Sequence, residues 1–410
     1  MKGSSSNLAS SASTGVRVHV VVVEASMNPP FCPNPACPHH HDTPEQYAGH
    51  WKHAGFYMTA VVGAVPRFKC TACNRGYSVR TFAYGYYTKR TLDAREIQRA
   101  ISQSESVSSI ARHLGASTAS IQNRIDRLAR ACLAMHTDLI ATLTLREHLV
   151  ADGFESFDRS QYYPNQINIL VGKRSQFLYA LTHVTIRRKG RMSSAQKDMR
   201  NRFEQLWRAP RAGIRTSFAR LLTAIDPLWD RTRLPRLQLW TDEHRDYPAA
   251  IMDTIPLLVA MHDGSFSHMT WPSTAPRTLL NPLFAVNYYD RELRKDLAAF
   301  RRESTCYTRN VANGLSRFAC HMAYHNYQKP YRVDSAQTCT FVHAEVAGID
   351  HRAIGAQLAR LYTDRPFISQ HKPSDEAARI WLKQAPTPLK KNPDRLPAYA
   401  RTGWMQGSTN

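Results

Sequence analysis

Two short apolar segments, 90 positions apart, each run into an aspartate. Leu149-Val-Ala precedes Asp152, and Leu237-Gln-Leu-Trp-Thr precedes Asp242, which a polar turn follows. Each segment has the length and composition of a buried β-strand. Because open α/β sheets place their chemistry just beyond the carboxyl ends of strands, the two carboxylates predict a site at one edge of a sheet.

The charge balance favours a polyanionic partner. The 410 residues carry 54 Lys and Arg against 32 Asp and Glu, a formal net charge of +22, which is typical of proteins that bind nucleic acid. No apolar run reaches the ~18 residues of a membrane span. The apolar run in residues 16–23 is broken by Arg17 and His19, so we interpret residues 1–28 as a disordered leader with one strand. We expect a cytoplasmic protein with reduced cysteines and no membrane partner.

Two cysteine pairs predict a structural zinc site. Cys32 and Cys37 are separated from Cys70 and Cys73 by 32 residues. Zn²⁺ takes four soft ligands in a tetrahedron, and a short knuckle presents two thiolates to one ion. We therefore expect a β-rich zinc ribbon over residues 29–90; the alternative is four unrelated thiols. Five histidines between the pairs could replace a ligand or remain solvated: His39, His40, His41, His50 and His53.

Residues 91–147 have helical periodicity. In this region Ile110 and Leu114 face one way, Gly115 permits a tight turn, and Ser117 can cap a new helix. This pattern predicts a helix-turn-helix whose second helix enters the major groove of double-stranded DNA; the alternative is an ordinary helical hairpin. The side chains that we expect on the exposed face of the second helix, able to reach bases and phosphates, are Ser120, Gln122, Asn123 and Arg127.

A mixed sheet with flanking helices is predicted for residues 148–335. The expected strands are residues 148–157, 165–171, 177–186, 234–241 and 267–271. The expected helices are residues 194–207, 215–225, 247–254, 281–302 and 321–330. Residues 336–410 are a C-terminal extension to which we assign no function, with one helix predicted over residues 344–361.

The helix predicted from Asn281 carries the candidates for a third carboxylate. Its apolar residues fall on one stripe at helical spacing: Val286, Tyr289, Leu293, Leu297 and Phe300. Asp290 lies on the edge of that stripe and could meet the other two acids, so we choose it. Four other residues remain open as alternatives: Asn287, Glu292, Asp296 and Glu303.

Together these features resemble bacterial insertion-sequence transposases of the DDE type, in which a zinc ribbon and a helix-turn-helix precede an RNase H-like catalytic domain. The resemblance covers about residues 30–335, and the order of the modules is its most specific part. It is carried by the four cysteines, Val150-Ala-Asp152-Gly-Phe, Thr241-Asp242-Glu-His244-Arg-Asp-Tyr247 and the region around Asp290-Arg291. The family's third acid is usually Glu, and here Asn287 can fall where that Glu is expected.

The resemblance implies an α/β enzyme that binds the terminal repeats of its element and target DNA, then cleaves and joins strands. Asp152, Asp242 and Asp290 would hold two Mg²⁺ or Mn²⁺ ions, with Asp152 bridging both ions. It also implies a structural Zn²⁺, assembly as a homo-oligomer on DNA and association with the bacterial nucleoid. The alternatives are a non-catalytic DNA-binding regulator derived from a transposase and a hydrolytic nuclease with the same core.

Overall fold

The computed structural model describes residues 28–157, 160–301, 306–332, 341–391 and 394. The predicted leader, apart from Asn28, and the alternative third acid Glu303 lie outside the described residues. Within them the protein is mixed α/β, with 13 α-helices and two sheets. No helix in the described ranges is both long and apolar enough to cross a membrane.

The N-terminal part is β-rich, as predicted. A one-turn helix, α1 (Pro44–Tyr47), is followed by an antiparallel sheet of β1 (Trp51–Thr59), β2 (Gly63–Cys70) and β3 (Gly76–Ser78). Its buried core is small and consists of three aromatic residues packed on cysteines: Tyr47, Phe68 and Tyr77 with Cys32, Cys37 and Cys70. A core of this size is too small to stabilise an isolated module without a covalent or metal crosslink.

Three helices follow, and the predicted turn separates the second from the third. They are α2 (Ala94–Ser102), α3 (Val107–His113) and α4 (Thr118–Ile140). The Ser106 and Ser117 hydroxyls accept hydrogen bonds from backbone N–H groups in the first turns of α3 and α4, and so cap both helices. Gly115 has φ +54° at the turn, a conformation that glycine adopts without steric cost.

The main sheet brings Asp152 and Asp242 side by side. Its strands are β4 (Leu149–Phe157), β5 (Pro164–Gly172), β6 (Leu178–Thr185), β7 (Leu237–Thr241) and β8 (Phe266–Thr270). The order is β6-β5-β4-β7-β8; β4, β5 and β6 are antiparallel, whereas β7 runs parallel to β4 and to β8. Leu149 pairs with Leu239 and Val150 with Trp240, so the same register puts Asp152 level with Asp242.

Nine further helices follow α4 within the described residues. They are α5 (Ser194–Leu206), α6 (Gly213–Leu222), α7 (Asp246–Met252), α8 (Ile255–His262), α9 (Phe284–Asp296), α10 (Val311–Tyr327), α11 (His343–Ala347), α12 (His351–Leu361) and α13 (Asp375–Trp381). The sequence did not predict α8. The helix predicted over residues 344–361 is two helices, because Gly348 adopts φ +109° between α11 and α12.

Helix α9 is shorter than the predicted range of residues 281–302. Asn281 lies before the helix, and its side-chain oxygen accepts a hydrogen bond from the Leu283 N–H at 2.8 Å. The helix ends where Leu297 takes extended backbone angles, and a short 3₁₀ turn, Ala298–Phe300, follows. The predicted apolar stripe is nevertheless confirmed, since all five of its residues are buried: Val286, Tyr289, Leu293, Leu297 and Phe300.

One continuous core runs from Tyr84 to Ala385. Helix α4 lies inside it, packed against α2, α10, α12 and α13. The regions predicted as a helix-turn-helix, a catalytic domain and a C-terminal extension therefore all contribute to the same core. The C-terminal region also contacts the ribbon: the Tyr84 N–H donates to the Thr363 carbonyl at 2.7 Å, and His40 Nε2 lies 2.7 Å from Ser369 Oγ.

Candidate functional site

Two of the three predicted catalytic aspartates line one small cleft. Asp152, the fourth residue of β4, and Asp242, the residue after β7, are half-buried there on neighbouring parallel strands, so Asp152 lies within its strand and not at the strand end that the sequence predicted. The rest of the lining comes from the segment after β8 and the start of α9: Pro272, Ser273, Ala275, Arg277, Asn281, Leu283 and Asn287. The two carboxylates thus lie on the same side of the sheet.

The surroundings of Asp152 are ordered by neighbouring polar groups. Its Oδ1 accepts hydrogen bonds from the Gly153 N–H at 2.6 Å and, more weakly, from the Tyr247 hydroxyl at 3.4 Å. Tyr247 is buried and stacks on Phe218 with ring centroids 4.1 Å apart, which fixes the hydroxyl. A Cβ at Gly153 would lie 1.5 Å from Gln166 Nε2 and 3.1 Å from the Tyr247 hydroxyl, so the glycine leaves room for both groups.

Burial and mutual repulsion make the acid site electrostatically costly. Burial and then the charge of Asp242 raise the pKa of Asp152 to about 7. Burial and the charge of Asp152 raise the pKa of Asp290 well above its usual range. Carboxylates that repel one another in a partly desolvated place are held ionised by a nearby cation. The site is therefore suited to bind a cation.

Asp290 approaches this site from α9. Its Oδ1 is buried and has no hydrogen-bond partner among the described residues. Two of the alternatives lie in a different cluster: Glu292 forms ion pairs with Lys295 at 2.9 Å and with Lys329, and Asp296 lies 3.2 Å from His321. Asn287, the remaining described alternative, lines the cleft with Asp152.

The acid site is more open than a single-ion cluster. Among the described residues, the four cysteines are the one group of three or more His, Cys, Asp or Glu whose ligand atoms all lie within 4.8 Å of one another. At least one pair among Asp152, Asp242 and Asp290 is therefore separated by more than that distance. The three carboxylates are therefore less compact than the cysteine cluster.

Arg277 is a residue of the cleft that sequence reasoning did not identify. It lies in the exposed segment between β8 and α9, and its positive charge lowers the pKa of both Asp152 and Asp290. No periodicity signals such a residue, because its position depends on the path of an irregular loop. Arg277 is placed to meet an anion that approaches the two carboxylates.

The four predicted zinc ligands form a compact cluster. Cys32 Sγ lies 3.5 Å from Cys73 Sγ, and Cys37 Sγ lies 3.7 Å from Cys70 Sγ. Zn–S bonds of about 2.3 Å in a tetrahedron place sulfur atoms about 3.8 Å apart, so the cluster could bind a metal such as zinc. The histidines do not replace a cysteine: His40 bonds to the Cys32 carbonyl and to Ser369, and His39 to Asp42.

The thiols of this cluster differ in acidity. Burial raises the pKa of Cys32 above its usual range and that of Cys37 to about 11. Burial also acts on Cys73, but the Arg75 N–H and other donors outweigh it and lower the pKa to about 7. Four thiolates packed this closely repel one another, and a divalent cation at their centre removes that cost.

The structure corrects one of the predicted DNA-binding residues. Arg127 is only 4% exposed, so it does not lie on the exposed face of α4. Its guanidinium donates to the Tyr84 and Tyr86 carbonyls at 3.2 and 2.8 Å and lies 4.0 Å from the centre of the Tyr86 ring. The reason is that packing surrounds α4 on more sides than the amphipathic pattern indicated. Arg127 joins α4 to the C-terminal part of the ribbon region, beyond β3.

The other three predicted residues lie near the start of α4 and differ in exposure. Ser120 is exposed in the first turn of the helix, whereas Gln122 and Asn123 are half-buried. The Gln122 amide bonds to Asp126 at 2.9 Å, and the Asn123 oxygen accepts from Arg127 at 2.9 Å. Of these three residues Ser120 is therefore the one exposed to a large partner, near the exposed Arg112 of α3.

Comparisons with known proteins do not assign the chain to a family. No protein-family model matches it, and no curated protein matches it either. The function therefore has to follow from the residues and geometry of the chain itself.

Proposed function

We propose that the protein is a DNA transposase of the DDE type, which cleaves and joins DNA strands with divalent metal ions. The observation that carries this proposal is the register of β4 and β7, which sets Asp152 level with Asp242 in one cleft. The buried Asp290 oxygen without a partner adds a third donor beside them. Carboxylate oxygens are the ligands that Mg²⁺ and Mn²⁺ prefer.

The sheet supports an RNase H-like catalytic domain. Three antiparallel strands are followed by two parallel ones, in the order β6-β5-β4-β7-β8. The first strand of this sheet in chain order, β4, carries Asp152, and the fourth, β7, ends immediately before Asp242. Helix α9 then packs against β4 and β5 and brings the third carboxylate. The strand order and the positions of the acids support the RNase H-like domain that the resemblance to transposases implies.

The chemistry that the site could perform is an in-line phosphodiester displacement. Two divalent ions bound between the carboxylates would contact the attacking and the leaving oxygen. The charge of Asp242 raises the pKa of Asp152, and the charge of Asp152 raises the pKa of Asp290. Asp152 therefore interacts with both other carboxylates, which suits it as the bridging ligand. Arg277 would orient the scissile phosphate by contacting its free oxygens, as arginine does at many phosphate sites.

Double-stranded DNA is the proposed substrate and partner. The net charge of +22 supplies a general attraction to phosphates. The exposure of the first turn of α4, with Ser120, and of Arg112 before it supports a contact with DNA of the kind that the second helix of a helix-turn-helix makes. A zinc ion in the cysteine cluster, assembly as a homo-oligomer on DNA and a cytoplasmic, nucleoid-associated location belong to the same proposal.

A cleavage assay tests the proposed activity. Purified protein with Mg²⁺ or Mn²⁺ should cut DNA at the terminal repeats of its element and join the freed ends to target DNA. Asp152→Asn and Asp242→Asn should each lower the rate by about a thousand-fold or more, because each removes an ionised ligand. The control Asp263→Asn changes a carboxylate before β8, at the opposite end of that strand, and should stay within about two-fold. Full activity of both site variants would reject the proposal.

Metal binding supplies a second test that does not depend on cleavage. Mn²⁺ titration followed by electron paramagnetic resonance should detect binding that Asp152→Asn weakens. Arg277→Ala should instead tighten Mn²⁺ binding several-fold, since it removes a positive charge that acts on Asp152 and Asp290. The same variant should slow cleavage, because the phosphate loses its contact. Opposite changes in metal affinity and rate distinguish this role from a structural one.

A second candidate function is a non-catalytic DNA-binding regulator derived from a transposase. It is favoured by the spread of the three carboxylates, which do not all lie within 4.8 Å, and by Asn287 where the family's Glu is expected. Such a protein would bind the repeats with the same affinity in the presence and absence of Mg²⁺. It would show no Mn²⁺ binding that depends on Asp152, and this result decides between the two candidates.

A further inference from the structure

The hairpin of β1 and β2 carries an exposed apolar tip. Its large apolar side chains are 37 to 76% exposed, and we call them the apolar hairpin tip: Phe56, Tyr57, Met58, Val61 and Val62. Phe56 pairs with Pro66 and Met58 with Ala64 across the hairpin, so one face carries no charged group at these positions. Exposed apolar groups gathered at one projection are characteristic of an interaction site.

The charged side chains in the stretch of sequence that contains the apolar hairpin tip are all Lys or Arg. Residues 46–92 contain seven Lys and Arg and no Asp or Glu. Lys52 pairs with Lys69 at the base of the hairpin, and the exposed Arg67 follows on the same strand as Lys69. A partner that covers the tip must therefore accept apolar side chains in its interior and carry negative charge at its rim.

The hairpin is also bent. The pairing of β1 with β2 shifts register between His53 and Phe56, and Gly55 adopts φ +79° there. A bulge of this kind increases the local twist of a two-stranded ribbon and directs its end away from the rest of the sheet. The tip thus projects from the ribbon as a narrow, twisted arm.

We propose that the apolar hairpin tip is a wedge that enters the minor groove of double-stranded DNA and unstacks a base step. Apolar side chains inserted at a base step kink the duplex, and flanking Lys and Arg hold the phosphates on either side. In this arrangement Lys52, Arg67 and Lys69 contact the backbone while Phe56 and Met58 enter the groove. The wedge rests on the proposed function, since both require DNA as the partner, and it assigns to the ribbon a task separate from cleavage.

Bending of a short duplex tests the wedge in the full-length protein. A duplex of about 30 base pairs with a fluorophore at each end reports bending by energy transfer and affinity by anisotropy. The variant Phe56→Ser/Met58→Ser/Val62→Ser should abolish bending and weaken binding about tenfold, because the kink is lost while most phosphate contacts remain. The control Ile255→Ser/Val259→Ser changes two exposed apolar residues of α8, which are 72 and 54% exposed, and should change neither quantity by more than about two-fold. Asp152→Asn should bend DNA like the wild type.

The outcomes separate failure of the wedge from failure of the proposed function. Wild-type protein that binds DNA, with equal bending by the tip variant, overturns the wedge and leaves the transposase proposal standing. Wild-type protein that binds no DNA overturns both. The wedge is also overturned if the tip variant binds DNA as the wild type does and shows a different defect. Such defects are loss of binding to vesicles of phosphatidylserine and phosphatidylcholine, a changed oligomeric state, or altered hydrogen exchange in residues 1–27.

The variants have a folding control. The substituted side chains are exposed and are not ligands in the cysteine cluster, so zinc content and melting temperature should match those of the wild type. If the triple variant does not fold, Met58→Ser alone replaces it, since Met58 is 76% exposed. Retention of full bending by a folded Met58→Ser variant would then count against the wedge.

Discussion

Arg127 and Arg112 lie on neighbouring helices and differ in burial. We expect the buried arginine to contribute to stability and the exposed one to contribute to binding. Arg127 is enclosed, and its guanidinium is satisfied by two backbone carbonyls and an aromatic ring. Arg112 lies on α3 and is exposed. The sequence pattern assigned DNA binding to Arg127 because both charge and helical position allowed it. Its actual partners, Tyr84 and Tyr86, lie more than 40 positions earlier, and no local pattern indicates such a contact.

This contrast gives a paired prediction. Arg127→Ala should lower the free energy of unfolding by about 3 kcal/mol, because it leaves buried carbonyls without donors. Arg112→Ala should leave stability unchanged, weaken DNA binding and reduce the slope of log affinity against log salt by about 1. Urea unfolding and salt-dependent anisotropy measure the two effects. Equal stability of the two variants would show that Arg127 is not a structural tie.

At the level of single residues, sequence patterns predicted the aspartates of the site but not Arg277 beside them. Asp152 and Asp242 each follow a short apolar run, although β4 continues past Asp152 to Phe157, and the parallel register brings the two residues into one cleft. Asp290 was chosen because it lies at the edge of a helical stripe, and that stripe is buried as predicted. Arg277 lies in a loop without regular structure, so its approach to Asp152 depends on tertiary packing alone.

At the scale of elements, strands were predicted more closely than helices. The observed bounds of β4 to β6 agree with the predicted ones within about one residue at most ends, because apolar runs bounded by turns mark buried strands clearly. Helix α8 was missed because its sequence, Ile255–His262, is apolar almost throughout and has no clear amphipathic period. The break at Gly348 was missed because a glycine within a periodic run does not by itself end a helix.

Several elements are joined through the half-buried imidazole of His136. His136 on α4 lies 2.8 Å from the Tyr327 hydroxyl on α10 and 3.2 Å from the Tyr179 carbonyl on β6. Burial lowers the pKa of His136 to about 4, although the Tyr179 carbonyl opposes this change. The neutral ring can donate to the carbonyl and accept from the hydroxyl, so the junction is satisfied without charge.

The junction predicts a pH-dependent stability. Below about pH 6.5 the unfolded chain protonates this imidazole, whereas the folded protein does so only near pH 4. The free energy of unfolding should therefore fall by about 1.4 kcal/mol per pH unit through that window and level off below it. His136→Gln removes this contribution, so its destabilisation relative to wild type should shrink by about 3 kcal/mol from pH 7 to pH 4.

Urea unfolding at several pH values measures this narrowing. His262→Gln serves as the control, because it replaces an exposed imidazole at the end of α8. Its curve should run parallel to that of the wild type over the same range. A constant difference in the free energy of unfolding between His136→Gln and wild type would mean that the half-buried ring does not resist protonation.

On the scale of the whole molecule, the protein has a small core in the ribbon and a large core in the body. The ribbon core is built on cysteines, whereas the body core runs from Tyr84 to Ala385 without a comparable cluster among the described residues. Contacts of Phe31 with Phe367 and of His40 with Ser369 join the two parts. The sequence predicted the ribbon from ligand spacing but could not predict its attachment to residues more than 300 positions away.

The two cores predict two stages of unfolding. Metal analysis should find about one zinc per chain, and removal of that metal should unfold the ribbon while the body remains folded. Limited proteolysis after chelation should then cut first within residues 29–90. Cys70→Ser should behave like the chelated protein, whereas Cys306→Ser, a change outside the cluster, should retain the metal. A metal-free protein with a protease-resistant ribbon would contradict this account.

The bond between His40 and Ser369 joins residues that are 329 positions apart. During synthesis on the ribosome, the residues of the ribbon emerge before those of the body. The ribbon can therefore form its contact with Ser369 only long after it has been made. A nascent or prematurely terminated chain could therefore fold its metal knuckles and still hold them on a loose tether. The ribbon would then take its correct orientation towards the rest of the protein only after translation has passed Ser369. Truncated products would therefore compete poorly with complete chains for the proposed DNA partner.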